Sequence, residues 1–225
     1  MSARLPAGNQ MSDSQLVMLF LTVSGGLQDA YTYWMREEVF ANAQTGNIVL
    51  MAGYLFGGQW TKAIRYLIPV AAFACGVFAA EQLRGRCQKV PRLHWRQIIV
   101  AAEAILLFAS GFVPASASHL ANAMISFSCA MQVQSFRKVN SCDYASTMCI
   151  GNLRSGMAAL STWLRTGDSA MRSKAGQYFR VILFFAFGGG MGTILSAYMG
   201  LHTIWISSVL LLVSFFLMFW EESRT

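Results

Sequence analysis

The stretch FANAQTGNIVLMAGYLFGG, residues 40–58, opens an apolar run on Thr45, Gly46 and Asn47, three residues with poor helix propensity and strong turn or hydrogen-bonding character. Further along, YASTMCIGNLRSGMAALSTWL, residues 144–164, puts Gly151 and Asn152 at the corresponding place. A segment that starts this way in a greasy chain either crosses the bilayer or dips into it and turns back. The fold depends on which.

Of the 225 residues, 55% are hydrophobic and only 12% charged, against roughly a quarter in a soluble domain. Apolar runs near the length of a bilayer span cover about 15–34, 64–80, 98–113, 120–136, 181–199 and 203–220. They leave too little chain for a separate soluble unit, so residues 1–225 read as a single membrane domain. The lead MSARLPAGNQMSDSQ is polar and has one basic residue, Arg4, and the run after it continues past secretory length without a good cleavage site. It reads as a retained first membrane helix.

The net charge of +7 comes from 17 Lys and Arg against 10 Asp and Glu. No basic stripe carries interleaved aromatics, so the excess is read as the positive-inside bias of cytoplasmic loops and not as a nucleic-acid surface. Cys75, Cys87, Cys129, Cys142 and Cys149 form no C-x-x-C pair and read as small hydrophobes. His94, His119 and His202 share no metal-ligand spacing, and H-E-x-x-H, G-x-S-x-G and P-loop motifs are absent from the sequence. No metal, no cofactor and no catalytic residues are expected, and the chain is not read as an enzyme.

Topology follows from charge. RGRCQKVPRLHWR, residues 84–96, holds five basic residues and no acid, and a second basic region runs from Arg165 to Arg180. PASAS, residues 114–118, is an uncharged turn for the opposite side. If both Gly-Asn segments cross, eight helices result and the two basic regions fall on opposite sides. If both dip and return, six helices span, and both basic regions and both termini face the cytoplasm of a bacterial inner membrane. The expected fold is therefore all-α: a polytopic membrane bundle of six spanning helices and two short re-entrant or broken helices.

The first short segment then enters from outside and the second from inside, which predicts an inverted repeat of residues 14–113 and 118–220. SGGLQDAYTY aligns with AMQVQSFRKV through Gln28 and Gln134, Gly46-Asn47 meets Gly151-Asn152 after a one-residue gap, and FACGVFAA matches FGGGMGTI through Gly76 and Gly190. Inverted repeats with broken helices are the recurring build of transporters and channels.

GGLQDAYTY followed by FANAQTGNIV, a glycine-bearing helix, a basic loop and a second-half AMQVQ resembles the YoaK-like family, a domain-of-unknown-function family of predicted bacterial transmembrane proteins. The resemblance spans nearly the whole chain, 14–220. It implies a fold and a compartment, with no established substrate. The second half departs from the pattern at Gln132, Ser135 and Ile150, the last in place of a threonine.

Polar side chains inside a membrane are costly unless paired or facing water, so each is a candidate. Asp29, beside Gln28, reads either as a ligand-orienting carboxylate or as one bonded to backbone amides at a segment mouth. At the mouths, Thr45 or Asn47 is expected to cap a helix end, with Gly46, Gly151 and Asn152 lining it. Helix N-termini carry unpaired N–H groups and partial positive charge, which admits an anionic solute. Arg154 either snorkels, pairs with the central Glu103, or binds such an anion. Gln28, Gln132 and Gln134 read as interhelical glue. Gly188 and Gly192, at G-x-x-x-G spacing, read as close packing within the bundle or between protomers. Trp60, Trp95, Trp163 and Trp220 fall at segment ends, as an interfacial belt requires.

The leading expectation is a small-solute transporter or channel whose midplane site joins Gln28, Asp29, Thr45, Gly46, Asn47, Gln134, Gly151, Asn152 and Arg154. The alternative is a non-transporting membrane scaffold that homodimerises through its Gly-rich helices. The lipid bilayer is the one partner expected in either case.

Overall fold

The computed structural model describes residues 15–87, 95–139, 142–143 and 146–222. The polar lead, the loop 88–94 within the first basic segment, including His94, and the extreme C-terminus lie outside the described residues.

The chain is helical, with α1 (Gln15–Met35), α2 (Gln44–Phe56), α3 (Trp60–Cys87), α4 (Trp95–Ser110), α5 (Ser118–Ser135), α6 (Cys149–Thr166), α7 (Ser169–Met199) and α8 (Ile204–Glu222). Each of the six long apolar runs becomes one helix; the first Gly-Asn segment becomes the short α2 of 13 residues, whereas the second becomes α6 of 18 residues, as long as α5 and not the short helix expected. Strand among the described residues is limited to β1 (Lys138–Val139) paired antiparallel with β2 (Cys142–Asp143). At 13 residues, α2 is about 20 Å long, short of a bilayer core. The stretches Trp60–Arg86 and Ser169–Met218 are long and apolar enough to cross a membrane.

One buried side chain marks where several helix ends meet. Arg36, just past the end of α1, is fully buried. Its Nη2 donates to the carbonyls of Ser110 at 3.0 Å and Val113 at 2.8 Å, its Nη1 to Pro114 at 3.2 Å, and its Nε to the Tyr31 hydroxyl at 2.9 Å. The Tyr31 O–H in turn donates to the Leu201 carbonyl at 3.0 Å. The end of α1, the α4–α5 turn and the α7–α8 turn therefore meet at one end of the bundle.

Glu37 pairs with Arg65 at 2.9 Å, so α3 starts at that same end. Far along α3, Glu81 meets Arg137 beyond the end of α5 at 3.3 Å. Gln15, at the start of α1, accepts from Arg180 of α7 at 3.4 Å. Thus α1, α4 and α7 run toward the Arg36 end, and α3, α5 and α8 run away from it.

Packing has a regular pattern. Helix α1 lies on α7 and α5 on α3; α2 lies on α3 and α6 on α7; α1 meets α8, α5 meets α4, and α4 meets α8. Exchanging the first four helices with the last four leaves this set unchanged.

Glycine makes the closest crossing possible. A Cβ on Gly26 would lie 2.0 Å from the Phe185 carbonyl oxygen, and one on Gly188 would lie 2.1 Å from that of Val23. Gly192 sits against Leu27 and Ala30. The Gly188–Gly192 face is thus used inside the bundle, against α1, and is not free for a second protomer. The partner crossing is built the same way, with Gly76 of α3 against Phe127 and Ala130 of α5.

The distribution of polarity is inverted relative to a soluble protein. Ile48, Val49, Phe56, Ile64, Phe78, Leu183, Phe187, Ile194 and Phe216 are exposed, whereas Thr22, Ser24, Gln28, Asp29, Glu103, Ser126, Ser128 and Gln132 are buried. Water around such an exterior would leave large apolar area unburied; hydrocarbon would not. Trp60 follows the expected belt in being exposed, but Trp95 is buried against Ile99 and Met131 and serves as core.

Candidate functional site

Gly25 is the middle residue of α1, and the segments leading into α2 and α6 both reach it. On one side Asn42 Nδ2 donates to the Gly25 carbonyl at 3.3 Å, and the Asn42 backbone N–H donates to Asp29 Oδ1 at 2.7 Å. On the other side Thr147 lies so close that a Cβ on Gly25 would be 2.5 Å from its methyl group. Ser146 accepts from Gln132 Nε2 at 2.9 Å, and the same amide donates to the Leu21 carbonyl at 3.2 Å. Cys149, the first residue of α6, lies within electrostatic reach of Asp29. Two helix N-termini therefore converge on Gly25–Asp29.

Around this point the side chains form a polar centre. Gln28 Nε2 donates to Ser24 Oγ at 2.9 Å, and the Cys129 thiol of α5 donates to Gln28 Oε1. The same thiol lies within electrostatic reach of Asp29 and of Glu103 on α4, and it faces the Asn42 side chain. Ser207 and Ser208 bring α8 in, donating to the carbonyls of Ser24 at 3.4 Å and Ala104 at 2.7 Å. Glu103 is 1% exposed, and neither carboxylate oxygen has a hydrogen-bond partner among the described residues.

The structure divides the residues expected at the site. Gln28 and Asp29 are at the centre. Asn47 is fully buried but committed elsewhere: its Nδ2 donates to Phe40 O at 2.7 Å and Gln44 Oε1 at 3.0 Å, and its Oδ1 accepts from Phe40 N at 3.2 Å. Asn47 therefore closes the loop ahead of α2 on itself. It does not cap α2, whose N-cap residue is Ala43 with no side-chain bond, and Thr45 is exposed. Asn152 is buried, while Gly151 and Arg154 are exposed. With its oxygens unpartnered, Glu103 does not pair with Arg154. Gln134 is drawn away, hydrogen-bonding Glu81 near the far end of α3.

What sequence reading missed is one step upstream of each motif. Asn42 precedes Thr45-Gly46-Asn47, and Ser146-Thr147 precede Gly151-Asn152; these residues, not the glycines, touch α1. Their only sequence signal is polarity at the entrance of an apolar run. The place of Cys129 had none.

A family model described as a protein of unknown function, DUF1275, matches residues 17–217. The chain belongs to that family. No curated protein and no solved structure matches it. The family match takes in both halves and both N-terminal ends. With two stretches long and apolar enough to cross a bilayer and an apolar exterior around a polar interior, this family member has the make-up of a membrane protein.

Proposed function

We propose that the protein is an integral membrane transporter or channel for a small solute, working without catalysis, with its site between the N-terminal ends of α2 and α6 on Gly25–Asp29. The observation that carries this reading is the convergence of both ends on the midpoint of α1. Helix α2 leaves and returns at the Arg36 end, and α6 leaves and returns at the other. Six helices then span a bacterial inner membrane with both termini cytoplasmic, and two broken ones meet at its midplane. The main packed pairs, which map onto one another when the halves are exchanged, support an inverted repeat of 14–113 and 118–220. Inverted repeats place their binding site where the broken helices meet.

The scaffold alternative keeps no comparable support, because the Gly188–Gly192 face that would dimerise is filled by α1. A homodimer would have to use another surface.

Asp29→Asn tests the site. Asparagine keeps the size of the side chain and a carbonyl oxygen for the Asn42 backbone N–H, while the carboxylate is lost. In proteoliposomes screened by light scattering with urea, glycerol, ammonium chloride and sodium formate, wild type should pass at least one solute. Asp29→Asn should slow it by about tenfold or more, the rate equivalent of one charged hydrogen bond. A well-folded wild type that passes none, or a variant as fast as wild type, would refute the reading.

A further inference from the structure

We propose that the midplane site takes a small monovalent cation, with Glu103 as the charged ligand. This rests on the transporter reading and names its solute class.

The hydrogen-bond inventory at the centre of the bundle leaves a carboxyl group unmatched. Each of its amide nitrogens donates at least once: Gln28 Nε2 to Ser24, Asn42 Nδ2 to Gly25, and Gln132 Nε2 to Leu21 and Ser146. Four acceptor oxygens, Glu103 Oε1 and Oε2, Asn42 Oδ1 and Gln132 Oε1, are buried without hydrogen-bond partners among the described residues. The hydroxyls of Thr22, Ser126, Ser128 and Thr147 are likewise unpartnered, and each can donate to such an oxygen or ligate a cation through its own lone pairs. An anion would have to sit beside the Glu103 and Asp29 carboxyls, which disfavours it.

Buried acceptors left unmatched require a donor or a positive charge to offset their desolvation. The Asp29 and Glu103 carboxyls both lie within electrostatic reach of the Cys129 thiol. The fully buried Arg36 is spent on carbonyls and a hydroxyl at the bundle's end. Divalent metal is not favoured, since no group of three or more His, Cys, Asp or Glu with metal-holding geometry occurs among the described residues. A single positive charge of small size, an alkali ion or a protonated small amine, would supply what the buried Glu103 carboxylate lacks.

The experiment is thermal unfolding of purified full-length protein in detergent. Sodium, potassium and methylammonium chlorides are titrated against N-methylglucamine chloride at constant ionic strength, with sodium formate against sodium chloride and with urea as anionic and neutral comparisons. At least one small cation should raise Tm saturably over N-methylglucamine, as a ligand of the folded state must. Glu103→Gln keeps the volume, and a preparation that elutes as wild type should show the midpoint weakened about tenfold or more. Which cation acts separates the alkali source from the amine source. A saturable shift with formate or urea and none with cations would overturn the cation while leaving the transporter reading intact. A cation shift unchanged in Glu103→Gln would remove Glu103 from the site. No shift with any probe, together with liposomes that pass nothing, would overturn both readings.

Discussion

At the scale of the residue, the polar interior separates groups that hold the fold from groups that are left over. Arg36 is the clearest of the first kind, because its fork-shaped guanidinium serves three carbonyls and a hydroxyl at once. Removing it strands those acceptors in a buried place. Arg36→Met should cost about 3–5 kcal/mol, and Arg36→Lys should recover little, because a point charge cannot span the same partners. Unfolding of the purified variants, read beside wild type, checks both; a near-neutral Arg36→Met would mean the clamp is incidental. Asn47 belongs with Arg36, since all its hydrogen bonds go to its own loop. Glu103 and Asn42 Oδ1 are of the second kind, and their lack of partners is what makes them candidates for a ligand.

At the scale of the element, two helix crossings made of glycine decide how near α1 can come to α7 and α3 to α5. In a bilayer such contact rests on close van der Waals packing, because lipid is as apolar as the side chains. Gly26→Ala and Gly188→Ala each drive a methyl group into a facing carbonyl and should destabilise by about 1–3 kcal/mol. Gly190, two residues from Gly188, has nothing within 4 Å of where its Cβ would be. Gly190→Ala should be neutral or gain up to about 1 kcal/mol of helix propensity. Thermal unfolding of the three variants reads the contrast, and equal effects would mean the crossing is looser than described. The displacement of α1 in the first two should also reduce flux, since α1 carries Gly25–Asp29.

At the scale of the whole molecule, everything turns on whether α2 and α6 cross or return. The Glu37–Arg65 pair closes the α2 excursion at the Arg36 end, whereas α6 closes at the end marked by Glu81 and Arg137. Single cysteines at positions 37 and 168 in a cysteine-free chain should therefore label differently in intact cells. An impermeant thiol reagent should reach position 37 and not 168. Labelling at 168 and not at 37 would reverse the sidedness, and labelling at both would break the opposed arrangement of the two mouths.

Hydropathy and charge determined that the chain is helical, where the helices of its six apolar runs lie, and that the Gly-Asn segments form two further helices, of which only α2 is short; each of these follows from local composition and periodicity. The centre was legible in part. Gln28 and Asp29 stood out as polar residues in an apolar run, but Thr45, Gly151, Arg154 and Gln134 stood out equally and lie elsewhere. Motif spacing reports where a helix starts, not which residue beside the start faces the bundle. That choice belongs to packing. The pairing of α1 with α7 across most of the chain, the loop-to-helix contacts at Asn42 and Thr147, and the burial of Glu103 and Arg36 join residues far apart in sequence. Only the tertiary structure decided them, because a side chain's cost in a membrane depends on what surrounds it, and its surroundings come from other helices.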